Sequence, residues 1–168
     1  MKKLKNLKMI NNKKDYILIL PDIRSALNVG AIFRTADAIG ISKIYLVGCT
    51  PRPNDQFGRI QKDITKSALG AENFIDWEYK KSLSILIDKL KKDGYFIIAI
   101  EQDKKAVDYR KIKIKNKVAI IMGPEVTGIP KKILDKVDTI AEIPMYGKKE
   151  SLNVSVAAGI ALFRILKS

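Results

Sequence analysis

Short runs of apolar residues recur along the chain, and they predict the strands of one sheet. Several of these runs are apolar at successive positions, which is typical of strands in a parallel sheet that helices cover on both faces. The six predicted strands are Tyr16–Leu20, Lys43–Val47, Asn73–Trp77, Tyr95–Ile100, Lys117–Met122 and Thr139–Ile143.

The segments between these runs have the length and the boundary residues of helices. Gly40 is a natural residue to follow a helix, Pro130 suits a first helical turn, and Ser151 suits the N-cap of the last helix. The predicted helices are Gly30–Ile39, Ser82–Lys92, Pro130–Val137 and a last helix that runs to about Leu166.

This alternation of strands and helices predicts a single α/β domain. Its sheet should be six-stranded and mostly parallel, with helices on both faces. The domain should span residues 16–168, preceded by a basic N-terminal tail at 1–15, in a chain of 168 residues. Sheets of this kind bind ligands outside the carboxyl ends of their strands, so the loops at that edge should hold the chemistry.

The last predicted helix is apolar around almost its whole circumference. A helix of this kind must be buried on nearly all sides. One side can pack on the sheet of so small a domain, and a second subunit would cover the other, so a homodimer is expected. A central helix covered by loops of the same chain is the alternative.

The chain is strongly basic. Its 32 Lys and Arg residues outnumber its 18 Asp and Glu residues, which gives a net charge of +14. Such a charge attracts polyanions, and RNA or DNA is the usual partner. A lysine-rich proteome that uses lysine only for solubility would give the same composition.

Composition excludes several classes of protein. An apolar fraction of 46% with 30% charged residues fits neither a disordered chain nor a membrane protein. No apolar run approaches the roughly 18–20 residues of a spanning helix, and the N-terminus lacks the pattern of a signal peptide. One cysteine, Cys49, and no histidine exclude Cys/His metal sites and His-dependent catalytic triads. A cytoplasmic protein without a bound metal is expected.

Three segments carry polar residues suited to binding or catalysis. The first is NVGAIFRTA at 28–36. There the amide of Asn28 and the guanidinium of Arg34, near the start of a helix, suit a phosphate and a ribose. An ordinary helix cap followed by a surface arginine gives the same pattern.

The second segment is GPEVTG at 123–128, and the third joins IPMYG at 143–147 to SLNVS at 151–155. Glycines in the second let the backbone approach a ligand, and Glu125 suits a general base, a hydroxyl acceptor or a cap. The segment matches neither the dinucleotide nor the phosphate-loop motif, so ATP and NAD have no specific support. A well-capped core helix would also explain the third segment.

The three segments together, in this order, resemble the SpoU/TrmH branch of the SPOUT methyltransferases. The resemblance runs from about Tyr16 to the C-terminus, with Pro124 where serine or asparagine is common. It implies transfer of a methyl group from S-adenosylmethionine to a ribose 2′-oxygen of tRNA or rRNA. It also implies a C-terminal deep trefoil knot, which no local pattern predicts, and a homodimer packed through the first and last helices.

Site residues follow from the resemblance by position. The cofactor pocket would be lined by Ala99, Ile100, Glu101, Gly123, Gly128, Ile143, Met145, Gly147 and Leu152. The catalytic group would be Arg34, Asn28, Glu125, Ser151 and Asn153.

The expected reaction needs a ribose hydroxyl to lose its proton, and the chain has no histidine to accept it. A guanidinium is not deprotonated in proteins. We therefore expect Arg34 to orient the RNA phosphate and to stabilise the developing negative charge on the oxygen. The proton acceptor is left open between phosphate, solvent and a perturbed side chain.

RNA recognition is expected from the dimer surface, the basic N-terminal tail and the loop Gly48–Ile60. Arg52 and Arg59 in that loop are the predicted RNA contacts, together with Arg34. A small basic dimer fits a tRNA stem-loop better than a large ribosomal site. The alternatives are methylation of a base nitrogen, as in other SPOUT branches, an RNA-binding module without catalysis, and a generic nucleotide-binding protein.

Overall fold

The structure is a computed structural model that describes residues 14–124 and 126–167. Its strands are β1 Asp15–Pro21, β2 Lys43–Val47, β3 Asp76–Lys80, β4 Phe96–Ile100, β5 Val107–Asp108, β6 Lys117–Met122 and β7 Thr139–Glu142. Its α-helices are α1 Ala26–Ile39, α2 Lys62–Ala68, α3 Leu83–Lys92, α4 Lys131–Leu134 and α5 Val154–Leu166. Two short 3-10 helices lie at Ala71–Asn73 and Tyr109–Lys111.

All seven strands of the described sheet are parallel, in the order β3-β2-β1-β6-β4-β7-β5. Successive residues of β1 face opposite sides, so Leu18 and Leu20 belong to one hydrophobic cluster while Ile17 and Ile19 belong to another. Helices α1, α2 and α5 contribute to the first cluster, and α3 and α4 contribute to the second. The predicted α/β class with helices on both faces is confirmed.

The predicted count of six strands is wrong, because the sheet has a seventh. Strand β5 is only two residues long, and it pairs Val107 with Ala141 and Asp108 with Glu142. Two residues carry no period that a sequence pattern can reveal. The predicted strand Asn73–Trp77 is also displaced, since residues through Asn73 form a 3-10 helix and β3 begins at Asp76.

Two helix starts differ from the sequence prediction because other residues provide the caps. Ser25 caps α1 through its Oγ, which accepts a hydrogen bond from the backbone N–H of Asn28 at 3.2 Å. Asn153, and not the predicted Ser151, caps α5 by accepting from the N–H groups of Ser155 at 2.9 Å and Val156 at 3.4 Å. Asn28 therefore lies inside the first turn of α1 and leaves its side chain for other contacts.

The remaining helix predictions have mixed outcomes. The predicted end of α1 before Gly40 is confirmed, with Gly40 at φ +80°. Helix α3 has the expected extent, and Ser82 is its cap. Helix α4 is only Lys131–Leu134, and α2 was not predicted at all.

Helix α5 leaves part of its apolar surface exposed. It packs against α1 through the first cluster, with Leu162 fully buried. On another side Val156, Ile160 and Phe163 are 50%, 37% and 49% exposed. These three residues have the spacing of one helical stripe. Within the residues that the structure describes, no helix is long and apolar enough to cross a membrane.

Candidate active site

A cleft opens at the carboxyl edge of the sheet, where β4, β6 and β7 end beside the start of α5. We call it the first cleft. Nine of its lining residues come from strand ends and the loops that follow them, and four from the approach to α5 and its first turn. The lining residues are Ile100, Glu101, Gln102, Met122, Gly123, Pro124, Gly128, Ile143, Met145, Ser151, Leu152, Val154 and Ala157.

Seven of the nine residues predicted to bind a cofactor line this cleft: Ile100, Glu101, Gly123, Gly128, Ile143, Met145 and Leu152. Ala99 does not, because alternation along β4 turns it into the second cluster, where it is fully buried. Gly147 lies exposed in the loop after β7 and is not among the lining residues.

Glu101 fixes one wall of the first cleft. Its Oε2 accepts a hydrogen bond from the backbone N–H of Ile129 at 2.8 Å, and its Oε1 accepts from that of Gln102 at 3.0 Å. The carboxylate occupies the space beside two glycines. A Cβ at Gly123 would lie 2.4 Å from Oε2, and one at Gly128 would lie 3.2 Å from it. Both glycines are needed for this close approach of the loop to Glu101.

Gln102 ties a second loop to the same point. Its Nε2 donates a hydrogen bond to the carbonyl of Ile143 at 2.8 Å, across 41 residues of sequence. Neighbouring carboxyl and amide side chains thus hold the loops after β6 and β7 together. Gln102 ends the loop Ala99–Gln102, which the family resemblance implies closes one side of the cofactor pocket.

Two predicted catalytic residues meet beside the first cleft. The Nδ2 of Asn153 donates a hydrogen bond to the Oδ1 of Asn28 at 3.2 Å, and 125 residues separate the two in sequence. Asn153 directly follows Ser151 and Leu152, which line the cleft. The structure therefore joins the first sequence motif to the third. Glu125 of the second motif lies outside the described residues.

Arg34 is not brought to the first cleft of its own chain. It lies six residues beyond Asn28, which places it about 9 Å further along the helix and about 120° around the helix axis. Its side chain is exposed, and it makes no hydrogen bond or ion pair with residues 14–124 or 126–167. Arg34 is not among the lining residues of the first cleft, and its expected role beside the RNA phosphate stays a prediction.

Comparison with known proteins decides the family. The sequence profile of the SpoU rRNA methylase family matches residues 15–163. The chain belongs to this family. The assignment made from the three sequence motifs is confirmed.

Individual relatives of this SpoU family member extend the comparison. The chain is 32% identical over 166 residues to a tRNA (guanosine(18)-2′-O)-methyltransferase of Borreliella burgdorferi, covering 98% of this chain and 72% of that protein. An AdoMet-bound rRNA methyltransferase from Sinorhizobium meliloti has a TM-score of 0.80 at 31% identity, over 90% of this chain and 56% of that one. The A. aeolicus TrmH/SpoU tRNA modifying enzyme has a TM-score of 0.78 at 28% identity, over 92% and 75%. This chain thus spans little more than half of the Sinorhizobium protein.

Two of the three predicted RNA contacts of this SpoU protein, Arg52 and Arg59, lie in a separate second cleft, formed mainly by Gly48–Gln61. The guanidinium of Arg52 lies over the ring of Tyr79, 4.4 Å from its centre. Arg59 donates from Nε to Oδ2 of Asp55 at 2.6 Å. Hydrogen bonds from the backbone and side chain of Arg59 hold the pKa of Asp55 below its usual range. Arg52 and Arg59 line the same cleft, and a carboxylate already pairs with Arg59.

A further cation near the first cleft was not predicted. Arg24 lines a small cleft together with Asp22, Cys49 and the loop residues Pro124, Val126 and Thr127. Pro124 also lines the first cleft, so the two openings share a wall. The position of Arg24 after β1, at the edge where ligands of parallel sheets bind, is the signal that would have indicated it.

Proposed function

We propose that this SpoU family member transfers a methyl group from S-adenosylmethionine to a ribose 2′-hydroxyl of tRNA or rRNA. The observation that carries the proposal is the first cleft, in which three loops distant in sequence meet beside the Asn28–Asn153 pair. The family match and the relatives' names, a tRNA 2′-O-methyltransferase and an AdoMet-bound rRNA methyltransferase, support the same reaction.

The residues of the first cleft fit S-adenosylmethionine. Met122, Ile143 and Leu152 offer apolar contacts to an adenine ring and a methionine chain, while Gly123 and Gly128 expose backbone to its polar groups. Each carboxylate oxygen of Glu101 accepts one backbone N–H and retains further acceptor capacity for a ligand hydroxyl. When bound, S-adenosylmethionine supplies an activated methyl group.

The acceptor ribose depends on other residues of the chain. Asn28 and Asn153 are fixed against one another and would orient the sugar, with Ser151 at the wall of the cleft. Arg34 would bind the neighbouring phosphate and stabilise negative charge on the 2′-oxygen. Proton removal is not assigned to Arg34, because a guanidinium does not act as a base in proteins.

A homodimer would reconcile the role of Arg34 with its position. The exposed stripe of Val156, Ile160 and Phe163 on α5, together with Leu27 on α1, offers an apolar surface to a second copy. We propose that this surface is the dimer interface and that Arg34 of the partner subunit serves the first cleft. The C-terminal trefoil knot that is implied by the family, and residues 16–168 as its catalytic domain, belong to the same proposal.

Transfer RNA is the substrate that we propose first, because the Borreliella relative is named for tRNA guanosine 18. The test incubates the protein with methyl-labelled S-adenosylmethionine and unmodified tRNA or rRNA transcripts, followed by alkaline hydrolysis. Ribose methylation blocks cleavage at its own phosphodiester, so label should remain in an alkali-resistant dinucleotide. Label in an ordinary mononucleotide would indicate base methylation. RNA binding without label transfer would indicate a module that does not catalyse.

A further inference from the structure

The segment 104–117, between β4 and β6, carries much of the positive charge of the chain. It contains seven Lys or Arg residues and one Asp, a net charge of +6 in 14 residues, against +14 for the whole protein. The loop 48–60 contains Arg52, Arg59 and Asp55 and is therefore +1. The largest local charge in the described chain is thus outside the loop that sequence motifs indicated for RNA.

The backbone of this segment holds the lysines outward. Ile112 and Ile114 pack against the first hydrophobic cluster, while Lys111, Lys113 and Lys115 are exposed. Lys111 ends the 3-10 helix Tyr109–Lys111, and Lys113 and Lys115 follow it at every second position. The ammonium group of Lys115 lies over the ring of Phe96, 4.4 Å from its centre. We call residues 110–117, with Arg164, the basic ridge.

An ion pair between Asp108 and Arg110 lies at the N-terminal end of the basic ridge. The guanidinium of Arg110 donates from Nε to Oδ1 of Asp108 at 2.9 Å and from Nη2 to Oδ2 at 2.5 Å. This pair lowers the pKa of Asp108 to about 2, so its charge is committed to Arg110 at neutral pH. Arg164 of α5 donates from Nη2 to the carbonyl of Arg110 at 3.0 Å, which adds a further cation.

The basic ridge begins at the mouth of the first cleft. Nη2 of Arg110 lies 3.4 Å from the hydroxyl of Tyr146, and Tyr146 follows the cleft residue Met145. Tyr146 is 87% exposed, so an aromatic side chain is available at this point. From there the segment runs back to Lys117, which opens β6 at the amino edge of the sheet. The ridge therefore leads from the cleft down the face that α5 covers.

We propose that the basic ridge binds the phosphates of the RNA strand that leads away from the methylated nucleotide, and that it is the main RNA-binding surface of the described chain. The inference rests on the proposed function, because that function places a nucleotide in the first cleft. Phosphates are the part of RNA that a row of lysines recognises, irrespective of sequence. An exposed aromatic side chain at the N-terminal end suits stacking of an unpaired base.

The test is a salt titration of binding to unmodified tRNA by the full chain. Lys111→Gln combined with Lys113→Gln should reduce the slope of log K against log salt by about 2, because each lysine releases about one counterion. Affinity at low salt should fall several-fold. The matched control is Lys92→Gln with Lys132→Gln, which removes two exposed lysines from the helices α3 and α4 on the other face. The control should keep the wild-type slope within about 0.5.

Equal slopes for the ridge variant and the control would overturn the inference. A parallel measurement of S-adenosylmethionine affinity separates it from the proposed function, since the ridge variant should bind the cofactor as the wild type does. If the ridge variant has a smaller salt slope than the wild type but the wild type methylates no RNA, the proposed function is wrong. RNA binding by the basic ridge is then still supported. If the wild type methylates RNA and both double variants have the same salt slope, the proposed function is supported. The inference that the basic ridge binds RNA is then wrong.

Discussion

The two clefts at the carboxyl edge of the sheet are built differently. In the first cleft, Glu101 and Gln102 bind backbone groups of neighbouring loops, so the walls are fixed by hydrogen bonds to the main chain. In the second cleft the two cations are held by other side chains, with Arg52 over Tyr79 and Arg59 paired with Asp55. Main-chain hydrogen bonds there come from the same loop, to Asp55, and do not join separate loops. Fixed and partly apolar walls select a small molecule by shape, whereas exposed cations attract a polyanion with little dependence on shape.

This difference implies that substitutions in the two clefts should affect different ligands. Changes in the first cleft should alter affinity for S-adenosylmethionine, and changes in the second should alter RNA affinity alone. The basic ridge belongs with the second kind of surface although it begins beside the first cleft. Three sets of variants test this division.

The largest effect is expected for Gly123→Ala. The new Cβ would lie 2.4 Å from Oε2 of Glu101 and 3.1 Å from the carbonyl oxygen of Ile100. A carboxylate at the end of a side chain can move, but here it must give up its hydrogen bond from Ile129. Losing a hydrogen bond to a charged group costs roughly 1.5–3 kcal/mol. Calorimetry should show S-adenosylmethionine affinity reduced by about tenfold or more.

Gly147→Ala is the matched comparison, because a Cβ there meets no atom within 4 Å. Its cofactor affinity should stay near that of the wild type. Adding Glu101→Ala to Gly123→Ala removes the side chain that obstructs the new methyl group. The double variant should therefore lose less S-adenosylmethionine affinity than the sum of the losses in Gly123→Ala and Glu101→Ala. Strict additivity would show that contact with Glu101 is not the cause.

A smaller effect is expected at Asn153, where stability and catalysis can be separated. Asn153→Ala removes the cap of α5 and should lower the free energy of unfolding by about 1 kcal/mol, measured by urea denaturation. Asn153→Asp keeps an oxygen that can accept from Ser155 and Val156 but loses the Nδ2 that donates to Asn28. We expect it to keep wild-type stability and to lose methylation several-fold, a smaller change than the loss of cofactor affinity expected for Gly123→Ala.

Equal methylation by Asn153→Asp and the wild type would remove the Asn28–Asn153 pair from the proposed site. A destabilisation as large as that of Asn153→Ala would instead show that the carboxylate does not replace the cap. Asn28→Ala completes the comparison, because Ser25 and not Asn28 caps α1. Its unfolding should change less than that of Asn153→Ala.

The contrast between the clefts also explains which parts of the molecule the sequence predicted. The strands of the core, such as β1 and β6, could be predicted from local apolar runs. A strand that is buried on both faces is apolar at successive positions, and such a run is visible in the sequence. Strand β5 has two residues and depends on pairing with β7, so no local pattern reveals it. Helix α2 buries only Ile64 and Ala68, which is too little apolar surface for a clear helical period.

The site was predicted in the same uneven way. Motif resemblance indicated the residues of the first cleft, and most of them do line it. The anchoring of its loops by Glu101 and Gln102 was not predictable, because their partners Ile129 and Ile143 lie 28 and 41 residues further along the chain. The position of Arg34 outside the lining of the first cleft could not be predicted either. Helical spacing shows on which side of α1 the residue lies, but not which other part of the protein lies next to that side.

The smallest expected effect is on tRNA affinity, in the second cleft. There the loss of a carboxylate, at Asp55, should strengthen binding and not weaken it. In the wild type the pKa of Asp55 is lowered, so its charge persists at neutral pH and is lost only in acid, as pH falls through that lowered pKa.

Asp55→Asn keeps the Oδ1 that accepts from the N–H groups of Phe57 at 2.8 Å and Arg59 at 3.0 Å, so the loop should hold its shape. It removes the charge that pairs with the Arg59 guanidinium. Solvent screens exposed pairs of this kind, so the effect should be small. At pH 7 we therefore expect tRNA to bind about two- to threefold more tightly to Asp55→Asn, and more weakly to Arg52→Gln by a similar factor. S-adenosylmethionine affinity should change in neither variant. Weaker RNA binding by Asp55→Asn would mean that the carboxylate positions Arg59 for RNA, and the second cleft would then be a preorganised site like the first.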